Sequence, residues 1–169
     1  SSAAGAAYAG TLQQAARVHG WRLRLAVLEH DERHKPSVPE LLAASEAVIL
    51  TSVQEGFGLP YLEAAAAGRP LVARRLPNIA PDLAKFGFRF PQSYADILIA
   101  PGLFDWCQER DRQRRLFTEW RRQMPRSVQR LVRQPALLSS QKQADPVPFS
   151  RLTLTAQLQV LAHPVEDSW

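Results

Sequence analysis

The stretch that decides the fold is EGFGLPYLEAAAAG at Glu55 to Gly68, which follows the apolar run AVILTS at residues 47–52. The apolar run is rich in β-branched residues and too short for a helix, so it predicts a strand buried on both faces. Pro60 suits the first position of a helix because no N–H donor is needed there, and the alanines at 64–67 continue that helix. Gly68 is typical of a helix end. The stretch therefore predicts a strand, a loop and a helix in direct succession.

Strand and helix alternate on both sides of this stretch. The predicted elements are, in chain order, a helix at Ala3–Val18 ended by Gly20, a strand at Trp21–Glu29, a helix at Val38–Ser45, a strand at Pro70–Ala73 and a loop with a helix at Pro77–Phe86. Ser37 and Glu40 stand in capping-box register before the second helix. Such alternation is typical of a parallel sheet between helices. The predicted fold class is α/β, a Rossmann-like three-layer parallel sheet with helices on both faces.

The pattern changes after Gly87 and predicts a helical C-terminal extension. The predicted elements there are a long helix at Leu103–Met124, a second basic helix after Pro125, an irregular linker at Pro135–Pro148 and a helix within Ser150–His163. The last segment also fits strand alternation, but Thr153 as a cap favours the helix. The domains we expect are a core at 1–100, a basic helical segment at 101–134, a linker at 135–149 and a C-terminal helix and tail at 150–169.

Size and composition indicate one ordinary domain with its own core. The chain has 169 residues, of which 46% are hydrophobic. No apolar run approaches the roughly 18 residues of a membrane-spanning helix, and the N-terminus lacks the pattern of a secretory signal. A single cysteine, Cys107, fits a reducing compartment. We expect a cytoplasmic protein without a transmembrane segment, and peripheral association with a membrane stays open.

The positive charge is concentrated in residues 101–134. This segment holds nine arginines against four acidic residues, an excess equal to the net charge of +5 of the whole chain. Clustered cations attract phosphate, so a basic nucleic-acid-binding module is one alternative function. The apolar stripe on the same helix favours a solvated charged face on a packed helix, and we expect no nucleic acid as partner. The stripe consists of Leu103, Trp106, Leu116, Phe117, Trp120 and Met124.

The loop Glu55–Leu59 lies where ligands bind in open parallel sheets, beyond the carboxyl end of a strand. Its glycines allow a sharp turn or a close approach to a ligand, and the helix start that follows favours a phosphate. Glu63 can accept hydrogen bonds from a vicinal diol such as a ribose, and Glu55 from sugar hydroxyls. On spacing alone, the stretch equally fits a plain strand-to-helix connection in which Glu63 complements the helix dipole.

The run TSVQEGFGLPYLEAAAAGRPLVA at residues 51–73 resembles the signature of family-four retaining glycosyltransferases, which have the GT-B fold. The shared pattern is an apolar strand, then E-G-F-G-L-P-x-x-E-A, small residues, a glycine and a second strand. Two glutamates with seven residues between them mark this family, and here they are Glu55 and Glu63. The clear match extends from about Leu23 to Leu83. The resemblance implies that the chain is the C-terminal, nucleotide-sugar-binding half of a GT-B fold.

The resemblance also implies a role for each residue of the loop. Gly56, Phe57, Gly58 and Leu59 lie along the donor sugar and diphosphate, and Glu63 holds the nucleotide ribose. Glu55 is the catalytic candidate, because it contacts the donor sugar. The resemblance implies that it forms hydrogen bonds to this sugar and does not act as a covalent nucleophile. The donor is a nucleotide-diphosphate sugar, and the acceptor is a glycan, a lipid or a small molecule. No cofactor and no metal are expected, and the sequence contains no Asp-x-Asp motif.

The sequence departs from the family pattern at two places. Members usually carry an Arg and a Lys in a glycine-bearing loop near the start of this domain, and no such loop stands upstream of Leu23. After the second strand, where members tend to have small residues and glycines, this sequence has Arg74, Arg75, Leu76 and Pro77. Arg74 and Arg75 are candidates for contact with the phosphates, and a solvated turn is the alternative. We expect the first strand, the phosphate loop and the N-terminal acceptor domain to be missing, and the fragment to be inactive alone. A non-catalytic domain that binds a nucleotide sugar or a partner stays an alternative.

The segment His30–His34 (HDERH) raises the question of a metal site, because two histidines four residues apart can share a helix face. The preceding run predicts a strand and Pro36 follows closely, so no helix is expected here. A zinc hydrolase needs that helical geometry. The segment therefore predicts a solvated loop.

Overall fold

The computed structural model describes residues 3–28, 36–139 and 145–163. The chain divides into two compact units, of which the first, here called the sheet unit, comprises residues 24–96. The second, here called the helical unit, is formed by residues 1–23 together with 97–169. The N-terminal helix thus belongs to the same unit as the C-terminal helices. The domain boundaries expected at residues 100, 134 and 149 stay a prediction.

The sheet unit alternates helices and parallel strands. Its elements are α2 (Val38–Ala44), β1 (Val48–Leu50), α3 (Leu59–Ala66), β2 (Leu71–Arg74), α4 (Ala80–Lys85) and β3 (Ser93–Tyr94), with α1 (Ala3–His19) preceding them in the helical unit. The strand order is β1-β2-β3, and both pairings are parallel. Leu50 pairs with Ala73 and Ala73 with Ser93. The predicted α/β fold class, a parallel sheet flanked by helices and followed by C-terminal helices, is confirmed.

The core of the sheet unit lies between the sheet and α3. The buried residues that form it are Leu50, Tyr61, Ala64, Leu71, Ala73, Leu76 and Ile79. Ala64 and Ala73 are fully buried, and their small side chains let the helix lie close to the strand. The prediction that the first strand is buried on both faces is wrong for Ile49, which is 68% exposed. The exposure belongs to one face of the sheet, because Val72, the partner of Ile49 in the central strand β2, is exposed as well.

The strand predicted at Trp21–Glu29 is not formed. Residues 21–28 contain no strand, and Glu29 lies outside the described residues. Ala26 has a left-handed φ of 55°, and the Leu23 N–H bonds locally to the Trp21 carbonyl at 2.9 Å. Alternating apolar residues need a neighbouring strand to pair with, and the described sheet ends at β1.

The two predicted helix boundaries with a clear local signal are confirmed. Helix α1 ends at His19, and Gly20 follows with a φ of 68°. Helix α2 begins after a capping box, in which the Ser37 N–H donates to Glu40 Oε2 at 2.7 Å and the Glu40 N–H donates to Ser37 Oγ. The Ser37 N–H and the Ser37 hydroxyl both donate to the Glu40 carboxylate and lower its pKa below its ordinary value. Both boundaries depend on residues within one turn of each other, which is why sequence alone predicts them.

The helical unit contains the predicted C-terminal helices and a short antiparallel ladder. Its further elements are β4 (Leu98–Ile99), a 3₁₀ turn (Pro101–Leu103), α5 (Trp106–Arg122), α6 (Arg126–Gln129), α7 (Ala136–Ser139), β5 (Val147–Pro148), a 3₁₀ turn (Phe149–Arg151) and α8 (Leu154–Ala162). The long helix, the short basic helix and the final helix agree with the predictions. None of the helices in the described ranges has the length and apolar content needed to cross a membrane.

The segment 135–148, predicted as irregular, contributes to the core of the helical unit. Leu137 on α7 and Val147 on β5 are both buried in this core. Val147 also pairs with Ile99 in the antiparallel ladder. The prediction is therefore wrong for the residues of α7 and β5, and residues 140–144 lie outside the described residues. The many prolines and polar residues of this segment predict an irregular linker, and the two isolated apolar residues that pack into the core, Leu137 and Val147, are too few to form a recognisable pattern.

A buried carboxylate, Glu109, joins α5 to the start of α8. Its side chain is fully buried and accepts hydrogen bonds from the Thr153 N–H at 2.8 Å and from Gln113 Nε2 at 2.8 Å. Arg112 Nε lies 3.2 Å from Glu109 Oε2 and neutralises the charge. Thr153 is the N-cap residue of α8, so Glu109 satisfies a helix-end donor from a distant part of the chain.

Replacing Glu109 by Ala is expected to lower the free energy of unfolding of the helical unit by about 3 kcal/mol, because the buried Thr153 N–H and the Arg112 guanidinium lose their acceptor. Tryptophan fluorescence during urea unfolding measures this unit, since all four tryptophans lie within it. Glu119→Ala on the exposed side of the same helix is the matched control and is expected to change stability by less than about 0.5 kcal/mol. Equal effects of the two substitutions would contradict the role of Glu109.

Candidate functional site

The loop between β1 and α3, residues 51–58, lies at the carboxyl end of β1. Because β1 and β2 are parallel, the turn that follows β2 lies at the same edge of the sheet. Asn78 in that turn donates from Nδ2 to the Glu55 carbonyl oxygen at 3.0 Å. The hydrogen bond joins the two strand-end segments, and it fixes the backbone that carries Glu55.

Two features of the structure require a glycine at position 58, namely its backbone conformation and the packing of Ile79 against it. It is the N-cap residue of α3 with a φ of 82°, in the left-handed region that favours glycine. A Cβ at this position would lie 2.6 Å from Ile79 Cγ2. Gly56 differs, because a Cβ there would meet nothing within 4 Å. The tight turn and the packing of Ile79 therefore account for Gly58, and neither constraint applies to Gly56.

Tyr61 ties the start of α3 to the end of β2. Its side chain is 1% exposed, and its hydroxyl donates to the Arg74 carbonyl oxygen at 2.6 Å. Its ring meets the Phe90 ring edge-on, with 4.9 Å between centroids. Burial raises the pKa of Tyr61 above its ordinary value, and the nearby charges of Glu55 and Tyr94 raise it further.

The two predicted carboxylates are both accessible. Glu55 is half-buried on the loop, and Glu63 is exposed on α3. Among the described residues, neither carboxylate receives a hydrogen bond or forms an ion pair within the protein. Both therefore keep their acceptor capacity for a ligand. Their assignment to a sugar and a ribose stays a prediction.

The other predicted loop residues lie on the surface of the same turn. Phe57 is 71% exposed and Leu59 is 54% exposed, so both present apolar side chains to solvent. The first turn of α3 offers few amides to an anion, because Pro60 carries no N–H and the Tyr61 N–H donates to the Gly58 carbonyl at 3.0 Å. A phosphate at this helix start therefore needs positive charge from side chains as well.

The two arginines after β2 differ in how they are engaged. Arg74 Nη1 lies 3.4 Å from Asp96 Oδ2 and donates to the Ala95 carbonyl at 2.8 Å, and the guanidinium lies over the Tyr94 ring. Arg75 is exposed and donates from Nη2 to Ser93 Oγ at 3.3 Å. The charge of Arg74 is thus neutralised within the protein, whereas that of Arg75 is not paired with a carboxylate among the described residues.

Sequence reasoning missed Asn78 and Tyr61. Both act by hydrogen bonds to backbone carbonyls of another segment, and such contacts leave no periodic pattern. The available signals were a tyrosine on an otherwise alanine-rich helix and an asparagine in the turn after the next strand. The histidine segment His30–His34 lies outside the described residues. Within the described ranges, no three potential metal ligands of the His, Cys, Asp or Glu type are grouped together.

Comparison with known families identifies the chain. The family described as "Glycosyl transferases group 1" matches residues 4–102, which is more than half of the chain. The chain belongs to the group 1 glycosyltransferases. No curated protein matches it, and no solved structure matches it. In this glycosyltransferase the matched range contains the whole sheet unit, and the family implies a nucleotide-sugar donor and an acceptor.

Replacing Gly58 by Ala is expected to destabilise the sheet unit by about 2–4 kcal/mol, because a left-handed φ and a clash with Ile79 add together. Urea unfolding followed by far-UV circular dichroism measures the loss, and tryptophan fluorescence separates it from the helical unit. The matched control is Gly56→Ala, which is expected to change stability by less than about 0.5 kcal/mol. A loss of equal size at Gly56 would show that the turn is not held as described.

The stability of the sheet unit is expected to fall as pH rises above about 10, the ordinary pKa of tyrosine. The folded state holds Tyr61 neutral to a higher pH than the unfolded state does, so the stabilisation is complete below the unfolded pKa and is lost as pH rises through the folded pKa. Tyr61→Phe is expected to flatten this slope in urea unfolding between pH 8 and 11. Tyr8→Phe, at an exposed tyrosine of the helical unit, is expected to leave it unchanged. An unaltered slope in Tyr61→Phe would contradict this origin.

Proposed function

We propose that the sheet unit is the donor-binding domain of a family-four retaining glycosyltransferase, which transfers a sugar from a nucleotide-diphosphate sugar to an acceptor. One observation carries the proposal. The loop Glu55–Leu59 lies at the carboxyl end of a parallel strand, inside the range that matches the family, and it carries a glutamate that no described residue engages. A second glutamate without a partner, Glu63, follows on the next helix.

In this proposal each carboxylate binds a different hydroxyl group of the donor. Glu63 accepts from the ribose diol, which suits an exposed carboxylate whose oxygens are unoccupied. Glu55 accepts from the transferred sugar, and Asn78 positions it by holding its backbone. Phe57 and Leu59 give apolar contact area along the sugar ring. The loop from Gly56 to Leu59 thus lines the donor.

The diphosphate is stabilised by the helix start of α3 and by Arg75. Negative charge grows on the diphosphate as the glycosidic bond breaks, and preorganised positive groups lower that barrier. Arg74 does not neutralise the diphosphate in this proposal, because Asp96 already neutralises its charge. It positions the end of β2 through its contacts with Asp96 and the Ala95 carbonyl. The bond from the anomeric carbon to the phosphate oxygen breaks, and the bond to the acceptor oxygen forms on the same face. The acceptor proton passes to the leaving phosphate. Because the new bond forms on the face from which the phosphate departs, the anomeric configuration is retained.

A second candidate function is binding of a nucleotide sugar without catalysis. The observation that favours it is the ion pair of Arg74 with Asp96, since the arginine nearest the strand end is not free to neutralise a leaving group. The two candidates share the donor site and differ in turnover. Donor hydrolysis by the longest natural chain that contains this sequence distinguishes them.

Calorimetric titration with UDP, GDP and ADP sugars is expected to identify one donor that binds with a one-to-one stoichiometry. Glu63→Ala is expected to weaken this binding by about 10- to 100-fold, because hydrogen bonds to a carboxylate contribute about 1.5–3 kcal/mol. The matched control is Glu46→Ala, an exposed glutamate at the amino end of β1, at the opposite edge of the sheet. The Glu46→Ala variant is expected to have the same affinity for the donor as the unaltered protein.

Turnover is tested by following donor hydrolysis with the same sugars in the longest natural chain that contains this sequence, because this fragment is expected to be inactive alone. Glu55→Gln is expected to bind the donor within about 10-fold of the unaltered protein and to lose hydrolysis, since only the contact to the reacting sugar changes. Binding without hydrolysis in the unaltered protein would favour the second candidate. If none of the sugars binds, or if Glu46→Ala weakens binding as much as Glu63→Ala, the proposed site is wrong.

A further inference from the structure

The helical unit contains a large apolar hollow. It has a volume of about 810 Å³, and its walls are formed mainly by the aromatic and aliphatic side chains of Trp106, Phe117, Trp120, Leu137, Val147 and Leu152. Small-molecule sites in proteins typically measure about 300–1,000 Å³ and are predominantly apolar. The hollow therefore has the size and the lining of a binding site, and it lies outside the sheet unit that carries the donor loop.

A second hollow adjoins the first and is lined by cations. It has a volume of about 500 Å³ and shares Phe117 and Gln134 with the apolar hollow. Three arginines of α5 line it, namely Arg114, Arg121 and Arg122. Arg133, Arg151 and Asp145 line the apolar hollow, so the two together present five arginines against one aspartate. The pair of hollows is thus apolar at one end and strongly positive at the other.

The engagement of the polar side chains narrows the class of ligand. In the apolar hollow, Gln113 Nε2 already donates to Glu109 and to the Arg151 carbonyl, and Thr153 already donates to Glu109. Arg133, Gln134, Asp145 and Arg151 also line this hollow, but most of its wall is apolar. A sugar, a nucleobase or a peptide backbone would therefore face mainly apolar side chains and leave many of its polar groups unpaired, at a free-energy cost. A hydrocarbon chain has no such groups. The apolar end therefore favours an alkyl or prenyl chain over a nucleic acid or a peptide.

The arginine-lined hollow favours an anionic group at the end of that chain. Arg114 is paired with Asp111 at 2.8 Å, and Arg121 Nε donates to the Gln129 carbonyl at 3.1 Å. Arg122 is exposed and has no partner among the described residues, so its guanidinium is available for a phosphate or a carboxylate. Arg121 forms no ion pair among the described residues and adds positive potential at the same place, whereas the charge of Arg114 is neutralised by Asp111.

We propose that the helical unit binds a single-chain anionic amphiphile, with its hydrocarbon chain in the apolar hollow and its charged head against Arg121 and Arg122. This site is separate from the donor loop and does not depend on the function proposed for it. The ligand binds as a monomer, because a hollow of about 810 Å³ has room for one chain.

Dodecyl phosphate below its micelle concentration is the probe. We expect one-to-one binding by calorimetry and a change in tryptophan fluorescence, because Trp106 and Trp120 line the apolar hollow. Dodecanol, which has the same chain without the charge, is expected to bind about 10-fold or more weakly, and inorganic phosphate is expected not to bind at the same concentration. Equal binding of dodecanol or of inorganic phosphate would overturn the proposal.

Three variants of α5 test the two ends of the site. Leu116→Asp places a carboxylate on the apolar lining at a side chain that is already 57% exposed, so the fold is retained while binding falls about 10-fold or more. Arg122→Gln is expected to weaken binding about 10-fold. Arg115→Gln is the matched control, since Arg115 is exposed on the same helix and lines neither hollow. Its binding is expected to stay within about 2-fold. Circular dichroism checks that each variant is folded.

Two further measurements exclude other partners. Anionic phosphatidylserine vesicles and a uridine decanucleotide are titrated under the same conditions. Binding to vesicles without binding of monomeric dodecyl phosphate would assign these hollows to a membrane surface and overturn the proposal. Binding of the decanucleotide that Arg122→Gln and Leu116→Asp both weaken would assign them to a nucleic acid and overturn it equally. Competition between nucleotide sugar and dodecyl phosphate is not expected.

Discussion

The close packing of Ile79 against Gly58 is the constraint on which the loop at residues 51–58 depends. The left-handed turn at Gly58 begins α3 directly after the loop, and the absence of a Cβ lets Ile79 pack against it. Asn78, next to Ile79, then reaches the Glu55 carbonyl. Packing and hydrogen bonding between two strand-end segments thus fix the backbone of the loop before any ligand is present, which reduces the ordering cost of binding.

The elements that sequence predicted correctly are those with local causes. The capping box at Ser37 and Glu40, the glycine after α1 and the strand-loop-helix succession around Pro60 each depend on residues close in the chain. The predicted strand at Trp21–Glu29 failed because pairing with a neighbour decides whether an alternating segment becomes a strand. The buried anchors Leu137 and Val147 were missed for a related reason, since their apolar contacts come from distant segments.

The candidate site shows the same division between what sequence predicts and what only coordinates reveal. Glu55, Glu63 and the glycines were predicted from spacing and from a family resemblance. The positioning contacts of Asn78 and Tyr61 were not, because a side chain that bonds a backbone carbonyl can come from many residue types and positions. Arg74 shows the converse, since its phosphate contact was predicted from its position and stays a prediction, while its ion pair with Asp96 leaves no signal in the sequence.

The three glutamates Glu55, Glu63 and Glu109 differ in burial and in the partners of their carboxylates. Glu109 is fully buried and satisfied by Thr153, Gln113 and Arg112, as a buried charge must be. Glu55 and Glu63 have no such partners among the described residues. Because both are accessible to water, their unpaired carboxylates cost little free energy. What distinguishes Glu55 from other surface glutamates is that its loop is tied to the segment after β2, by the packing of Ile79 against Gly58 and by the hydrogen bond from Asn78 to the Glu55 carbonyl.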